Sequence, residues 1–177
     1  MGLIERTAFG GFHLAIIIGG LIVDIVGMKR LFVLAFFLRL VGIVFTVFST
    51  GCLSLDISTL FIGIANGLVE AACNPLVTSI YPDNKTTKLN HFHFWCPACI
   101  VIGTLVSFGF ANIGLGWQWQ VATMLIPTVI YGYLFFSLDF PVTERVSSRL
   151  SPKDMYKAVL TPLYFFLFIF MLGTAIT

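Results

Sequence analysis

Charge is what this sequence most lacks. Of its 177 residues only 10% are Asp, Glu, Lys or Arg. A soluble domain carries about 25%, so the chain has too few charges to cover a water-facing surface. That shortage excludes an ordinary cytosolic enzyme, a nucleic-acid module and a disordered tail. Neither sign dominates: the net charge of +2 is too small to imply an anionic partner. Cysteine is sparse too. Cys52, Cys73, Cys96 and Cys99 lie mostly in apolar stretches of a chain that is neither small nor loop-rich, which excludes a secreted disulfide scaffold. No small-residue cleavage site follows a basic start, so the first apolar run does not read as a signal peptide. What is abundant is apolar bulk: 58% hydrophobic residues, nineteen of the total being Phe, and a mean hydropathy of +0.99. The class is a polytopic all-α membrane protein, with the lipid bilayer as its first partner and no nucleic acid.

A spanning helix needs about 20 mainly apolar residues. Six stretches qualify: Thr7 to Ile25, Leu31 to Phe48, Leu55 to Ile80, Phe92 to Leu115, Val121 to Leu138 and Val159 to Thr177. The third and fourth exceed one bilayer thickness, so they tilt or begin outside the hydrocarbon. The last stops with no polar flank, which leads to the expectation that the chain is a fragment of a larger protein.

The connections differ in charge. Lys29 and Arg30 separate spans one and two, Lys85 and Lys88 separate three and four, and Arg145, Arg149, Lys153 and Lys157 separate five and six. The connections near Ser54 and Gly116 carry no Lys or Arg. The positive-inside rule therefore predicts that the three basic loops are cytoplasmic. The sequon Asn84-Lys85-Thr86 falls on that side and would not be glycosylated. The polar stretch from Asp139 to Lys157 is the longest in the chain and the natural boundary between two bundles.

Ionisable groups at membrane depth are functional candidates by default. Glu70 lies ten residues before Ile80, about 15 Å along a helix and near the bilayer centre. Gly63, Gly67, Glu70 and Asn74 are spaced four, three and four, so they share one helix face. Small residues there admit a neighbouring backbone, and Glu70 is expected to face protein or a cavity rather than lipid. Asn66 adds a polar group one turn earlier. Arg39, about 13 Å beyond Arg30, reaches a similar depth on a span running the other way. An ion pair with Glu70, or a shared polar cavity, is the expectation; a side chain snorkelling along its own stem is the plainer alternative. His13 sits mid-span and is expected to bond another helix. Three scattered histidines with no carboxylate nearby do not make a metal site, and no cofactor is expected. Pro75 and Pro97 sit within spans and are expected to kink them.

Cys96-Pro97-Ala98-Cys99 is a C-x-x-C, which in a thioredoxin-like setting signals redox chemistry. Here it lies inside a membrane span. With Cys73, it keeps open the alternative of a membrane thiol–disulfide reductase relaying electrons through intramembrane cysteines.

The stretch Gly20-Leu21-Ile22-Val23-Asp24-Ile25-Val26-Gly27-Met28-Lys29-Arg30 resembles the G-x-x-x-D-x-x-G-x-[KR]-[KR] signature of the major facilitator superfamily, with Ile25 where many members have Arg. Gly27 permits a tight turn, and Asp24 is suited to pair with the basic residues and cap a helix start. Gly63 to Tyr81, GIANGLVEAACNPLVTSIY, followed by Lys88-Leu89-Asn90, looks like the G-x-x-x-G-x-x-E-x-x-x-N-P and R-L-N patterns of the fucose–proton symporter family and its bacterial sugar-transporter relatives. Trp117-Gln118-Trp119 and Phe140-Pro141-Val142-Thr143-Glu144-Arg145 resemble the same relatives. The resemblance implies a twelve-helix transporter of which residues 1–138 hold helices two to six, residues 139–158 the cytoplasmic inter-bundle loop, and residues 159–177 the start of helix seven. It implies a protein that is not an enzyme, in a bacterial inner membrane, taking up a sugar with protons by alternating access, and a chain inactive by itself. Glu70 matches the carboxylate implicated in proton coupling, and Asn74 the polar residue of the N-P motif. His93 and Cys96 stand where fucose transporters carry Gln and Asn, which points away from fucose itself. Asn66, Asn74, His93 and Trp95 are the substrate-binding candidates, and a carboxyl in an apolar cavity favours its neutral form.

The two chemical readings separate at the cysteines. As a transporter, the protein tolerates Cys96→Ala and Cys99→Ala with little loss of uptake. As a reductase, Cys96 and Cys99 cycle between thiol and disulfide, which differential alkylation and mass spectrometry detect.

Overall fold

The computed structural model describes residues 2–149 together with 151, 153, 157, 162, 166 and 169. Among these every regular element is helical. The elements are α1 (Gly2–Val26), α2 (Met28–Val47), α3 (Cys52–Ile80), a 3₁₀ turn (Pro82–Asn84), α4 (Lys85–Asn112), α5 (Trp117–Thr123), α6 (Leu125–Ser137) and a single turn, α7 (Glu144–Ser147). Five stretches are long and apolar enough to cross a membrane: Ile4–Val26, Met28–Val47, Cys52–Ile80, Pro82–Asn112 and Trp117–Ser137. The sixth expected span, Val159 to Thr177, lies outside the described residues save Pro162, Phe166 and Ile169. The chain forms two compact units, Met1–Glu144 and Arg145–Thr177, and helices α1 to α6 all belong to the first.

The turns come from local chemistry. Gly27 alone joins α1 to α2, at φ +89°. Side chains rarely adopt that conformation, so only glycine turns the chain this sharply without strain. The Ser54 hydroxyl accepts from the Gly51 N–H at 3.2 Å and donates to the Gly51 carbonyl at 2.8 Å, fixing the start of α3. The fifth expected span is broken at Met124 into α5 and α6. Pro127 explains the break, because it lacks the N–H that would bond the Thr123 carbonyl four residues back. Pro75 and Pro97 lie inside α3 and α4, which run on past them.

Packing is organised around α3. Along α1, Ala8 meets Gly63, Phe12 and Ala15 meet Gly67, and Gly19 meets Ala71. Residue numbers rise together, so α1 and α3 run parallel. A Cβ at Gly63 would collide with the Ala8 carbonyl oxygen, and one at Gly67 with that of Phe12. The two backbones are therefore in direct contact, the close approach that small residues permit in lipid. Helix α2 runs antiparallel on another side of α3: Arg39 meets Asn66, Gly42 meets Ile62, and Thr46 meets Ser58. The buried Thr46 hydroxyl lies 2.9 Å from that of Ser58, which donates to the Leu55 carbonyl at 2.8 Å. Leu31, Phe32, Ala35, Leu68 and Ala72 form the core between α1, α2 and α3. Phe32 and Phe36 carry α6, stacking on Phe135 at 4.4 Å and Tyr131 at 5.9 Å. Helix α4 is the outlier among the long helices: none of its described residues is buried.

Gly67→Leu is expected to force α1 off α3 and destabilise the bundle by at least about 1–3 kcal/mol, the usual range for overpacking. Gly103→Ala, where a Cβ meets no atom within 4 Å, is expected to be neutral or to stabilise by up to about 1 kcal/mol. Denaturant unfolding in detergent micelles checks both.

Candidate functional site

Helix α3 carries polar side chains on successive turns of one apolar span: Asn66, Glu70 and Asn74. Each must find a partner, because lipid supplies none. The packing of α1 on the glycines takes one side of α3, so the polar groups turn to the helices on the other sides.

Asn66 turns to α2. Its Oδ1 accepts from Arg39 Nη1 at 2.7 Å. Arg39 Nε is buried without a hydrogen-bond partner, as is the hydroxyl of Tyr131 on α6, which lies within electrostatic reach of the guanidinium. The expected Arg39–Glu70 ion pair is thus replaced: Arg39 is committed to Asn66, one turn nearer the glycines. Nor does it snorkel freely, since it is held across a helix interface. Asn66 is accordingly tied up by the arginine.

Glu70 turns to α4. Its Oε1 accepts from Asn74 Nδ2 at 3.3 Å and lies 3.6 Å from Nδ1 of His93. The Glu70 side chain is 23% exposed and that of His93 50%. The expectation that no carboxylate lies near the histidines therefore fails at His93. The reason is register: α3 and α4 form a hairpin through Pro82–Asn84, and Glu70 and His93 are set at matching heights from its tip. Asn74 Oδ1 is buried and has no partner. Pro97 removes the N–H that would bond the His93 carbonyl, leaving a second acceptor beside the pair. Trp95 does not join this group. It follows His93 by two residues, a rotation of about 200°, and is 63% exposed. His13 bonds its own helix, with Nδ1 2.7 Å from the Phe9 carbonyl, rather than another one.

The signature turn gathers at the end of the bundle that holds the basic residues. Gly27 makes the turn, and α2 begins there without a side-chain cap. Asp24 therefore does not cap α2; it accepts a hydrogen bond from the Thr143 hydroxyl. Lys29 lies 3.6 Å from Asp139, and Lys85 Nζ lies 2.5 and 2.7 Å from the Glu144 oxygens. Phe140 packs against both Phe32 and Phe135, at 5.1 and 5.7 Å. The segment 139–144 thus straps the ends of α1, α2 and α4. Arg30 and Gly20 are not buried, and a Cβ at Gly20 would meet nothing. Tyr131 and Thr143 are the polar residues that the sequence did not single out for a role. A hydroxyl inside an apolar span was the available signal for the first. Thr143 lies in the Phe140–Arg145 stretch that carries the resemblance, but its partner is 119 residues away.

Cys73 is half-buried, and Cys96 and Cys99 are exposed on α4; all are free thiols. Three residues apart on a helix, Cβ atoms lie about 5–6 Å apart, beyond the roughly 3.5–4.5 Å of a disulfide. A Cys96–Cys99 bond would require α4 to distort. Among the described residues no group of three or more His, Cys, Asp or Glu is placed to hold a metal.

Glu70, His93 and Asn74 can together hold one mobile proton without net charge. A neutral carboxyl beside a neutral imidazole and a carboxylate beside an imidazolium both sum to zero, which keeps the desolvation penalty low in either form. No protein-family model, no curated protein and no solved structure matches this chain.

Arg39→Gln combined with Asn66→Ala is expected to give a coupling free energy of about 0.6–1.7 kcal/mol, the range for interhelical polar contacts in membranes. Arg39→Gln combined with Glu70→Gln is expected to give a smaller one. Double-mutant cycles on unfolding stability compare the two.

Proposed function

We propose that this protein is a solute transporter of the major facilitator type that takes up a sugar together with protons by alternating access. The observation that carries the proposal is Glu70: a carboxyl midway along an apolar span, mostly sheltered, and held by His93 and Asn74. Such a group is costly in a membrane unless it has a task. A proton on Glu70 makes the site neutral, and its loss leaves a charge that the apolar surroundings disfavour. Rocking of one helix bundle against another relieves that charge by changing which side of the membrane the site faces.

Two further features support the reading. The Gly27 turn has the positive φ that the signature glycine needs. The strap across Asp24, Lys29 and Lys85 ties the basic ends of three helices together, so that these helices move as one body. In this reading the basic end faces the cytoplasm of a bacterial cell and the chain lies in the inner membrane. Asn74 beside Glu70 is the candidate for a sugar hydroxyl; Asn66 acts through Arg39, and Trp95 does not join this group.

Glu70→Gln, in the protein expressed from its complete natural gene, is expected to abolish proton-driven accumulation of its substrate while leaving counterflow exchange in place. Radiolabelled-sugar uptake into cells or proteoliposomes, with and without an imposed pH gradient, measures both. Accumulation equal to the wild type removes Glu70 from the mechanism.

A further inference from the structure

We infer that Glu70 and His93 form a single two-residue proton site that bridges α3 and α4, with His93 a proton-holding partner of the carboxylate rather than a sugar ligand. The inference rests on the transport reading for its purpose, but its chemistry stands on the geometry alone.

Three observations carry it. The ring nitrogen of His93 that faces α3 is Nδ1, and it lies 3.6 Å from Glu70 Oε1. That is ion-pair distance, and an approach of about half an ångström makes it a hydrogen bond. Second, Oε1 is fixed from the other side by Asn74 Nδ2 at 3.3 Å, so the same oxygen faces both partners. Third, among the described residues of the helices around it, the other charged groups are placed elsewhere. On α2, Lys29 and Arg30 lie at the basic end, and Arg39 is bonded to Asn66. On α1, His13 is bonded to the Phe9 carbonyl, Glu5 and Arg6 lie in its first turns, and Asp24 lies at its far end with Thr143. On α4, Lys85 holds Glu144, Lys88 lies over the Tyr81 ring, and His91 is about 200° round the helix from His93. On α3, Asp56 lies in the first turns, and Cys73 lies within reach of the Glu70 charge. Cys96 and Cys99 are further along α4 and exposed.

The step is a proton transfer. The O–H bond of the Glu70 carboxyl breaks and its electron pair stays on Oε1. The proton forms an N–H bond at Nδ1 of a neutral His93, whose Nε2 keeps its own proton. Carboxyl and imidazole become carboxylate and imidazolium, with no change in total charge. The proton is thus stored across a helix interface. Because α4 buries none of its described residues, this contact is well placed to draw the middle of α4 onto α3 when the proton is bound.

The test is spectroscopic and uses the chain in lipid nanodiscs with ¹⁵N-labelled histidine, His13→Gln and His91→Gln serving to assign the His93 signals. The wild-type Nδ1 is expected to show the ¹⁵N shift of a nitrogen hydrogen-bonded to the carboxyl, as donor or as acceptor. In Glu70→Gln that shift is expected to move to the value of a ring without the carboxyl partner. A ring unaffected by Glu70→Gln overturns the proposal. The reciprocal measurement is the infrared carboxyl band that disappears in Glu70→Gln. It is expected to shift in His93→Gln, and an unshifted band overturns the proposal without requiring Glu70→Gln to fold natively in the ring experiment. Loss of accumulation in Glu70→Gln with an unaltered His93 ring would refute the shared site while leaving the transport reading standing.

Discussion

The direct contact of the α1 and α3 backbones at Gly63 and Gly67 decides where the other helices go. Only residues without a side chain allow the Ala8 and Phe12 carbonyls to rest against α3. With α1 held there, α2 takes another side of α3 through Gly42, Thr46 and Arg39. The remaining side is open to α4. Van der Waals contact between small residues is the main attraction available in lipid, where tails are as apolar as leucine. Two glycines four residues apart therefore do what a hydrophobic core does in water.

The polar side chains follow from the same arrangement. Asn66 is rotated about 100° from Gly67 and faces α2, so it meets Arg39. Glu70 lies a turn further on, beyond the reach of the guanidinium's bond to Asn66, and faces α4, so it meets His93. A cation and an anion at similar depth are kept on separate partners by one helical turn. Each is accommodated in its own way: the arginine by bonding an amide oxygen, the carboxyl by lying between an amide and an imidazole. The arrangement keeps the guanidinium on Asn66 and off the Glu70 carboxyl.

At the basic end, the strap of residues 139–144 adds a second kind of constraint. Its ion pairs are exposed and individually weak. Phe140 against Phe32 and Phe135 and the Asp24–Thr143 bond supply the more buried contacts. The strap gives the Asp24–Arg30 turn a physical task beyond turning: it anchors the exit of α6 to the ends of the other helices.

Much of this was legible in the sequence. Low charge and long apolar runs determined the class, because a helix satisfies its own backbone polar groups where lipid offers them no partner. Four of the six expected spans fall within α1 to α4 or overrun them by a few residues. The four–three–four spacing from Gly63 to Asn74 predicted one shared face, but α1 takes the two glycines while Glu70 turns to α4. The fifth span's break at Met124 was readable from Pro127 and was missed because hydropathy does not register a lost N–H. Partners were another matter. Whether Arg39 takes Asn66 or Glu70 depends on how far α2 slides along α3, and whether His93 meets Glu70 depends on the register of the α3–α4 hairpin. Both are set by interhelical packing between residues far apart in the chain, and a shift of one turn, about 5.4 Å, would exchange every partner without changing a single span. The sequence by itself determined the helices; only the tertiary structure decided which neighbour each face takes and which polar groups meet.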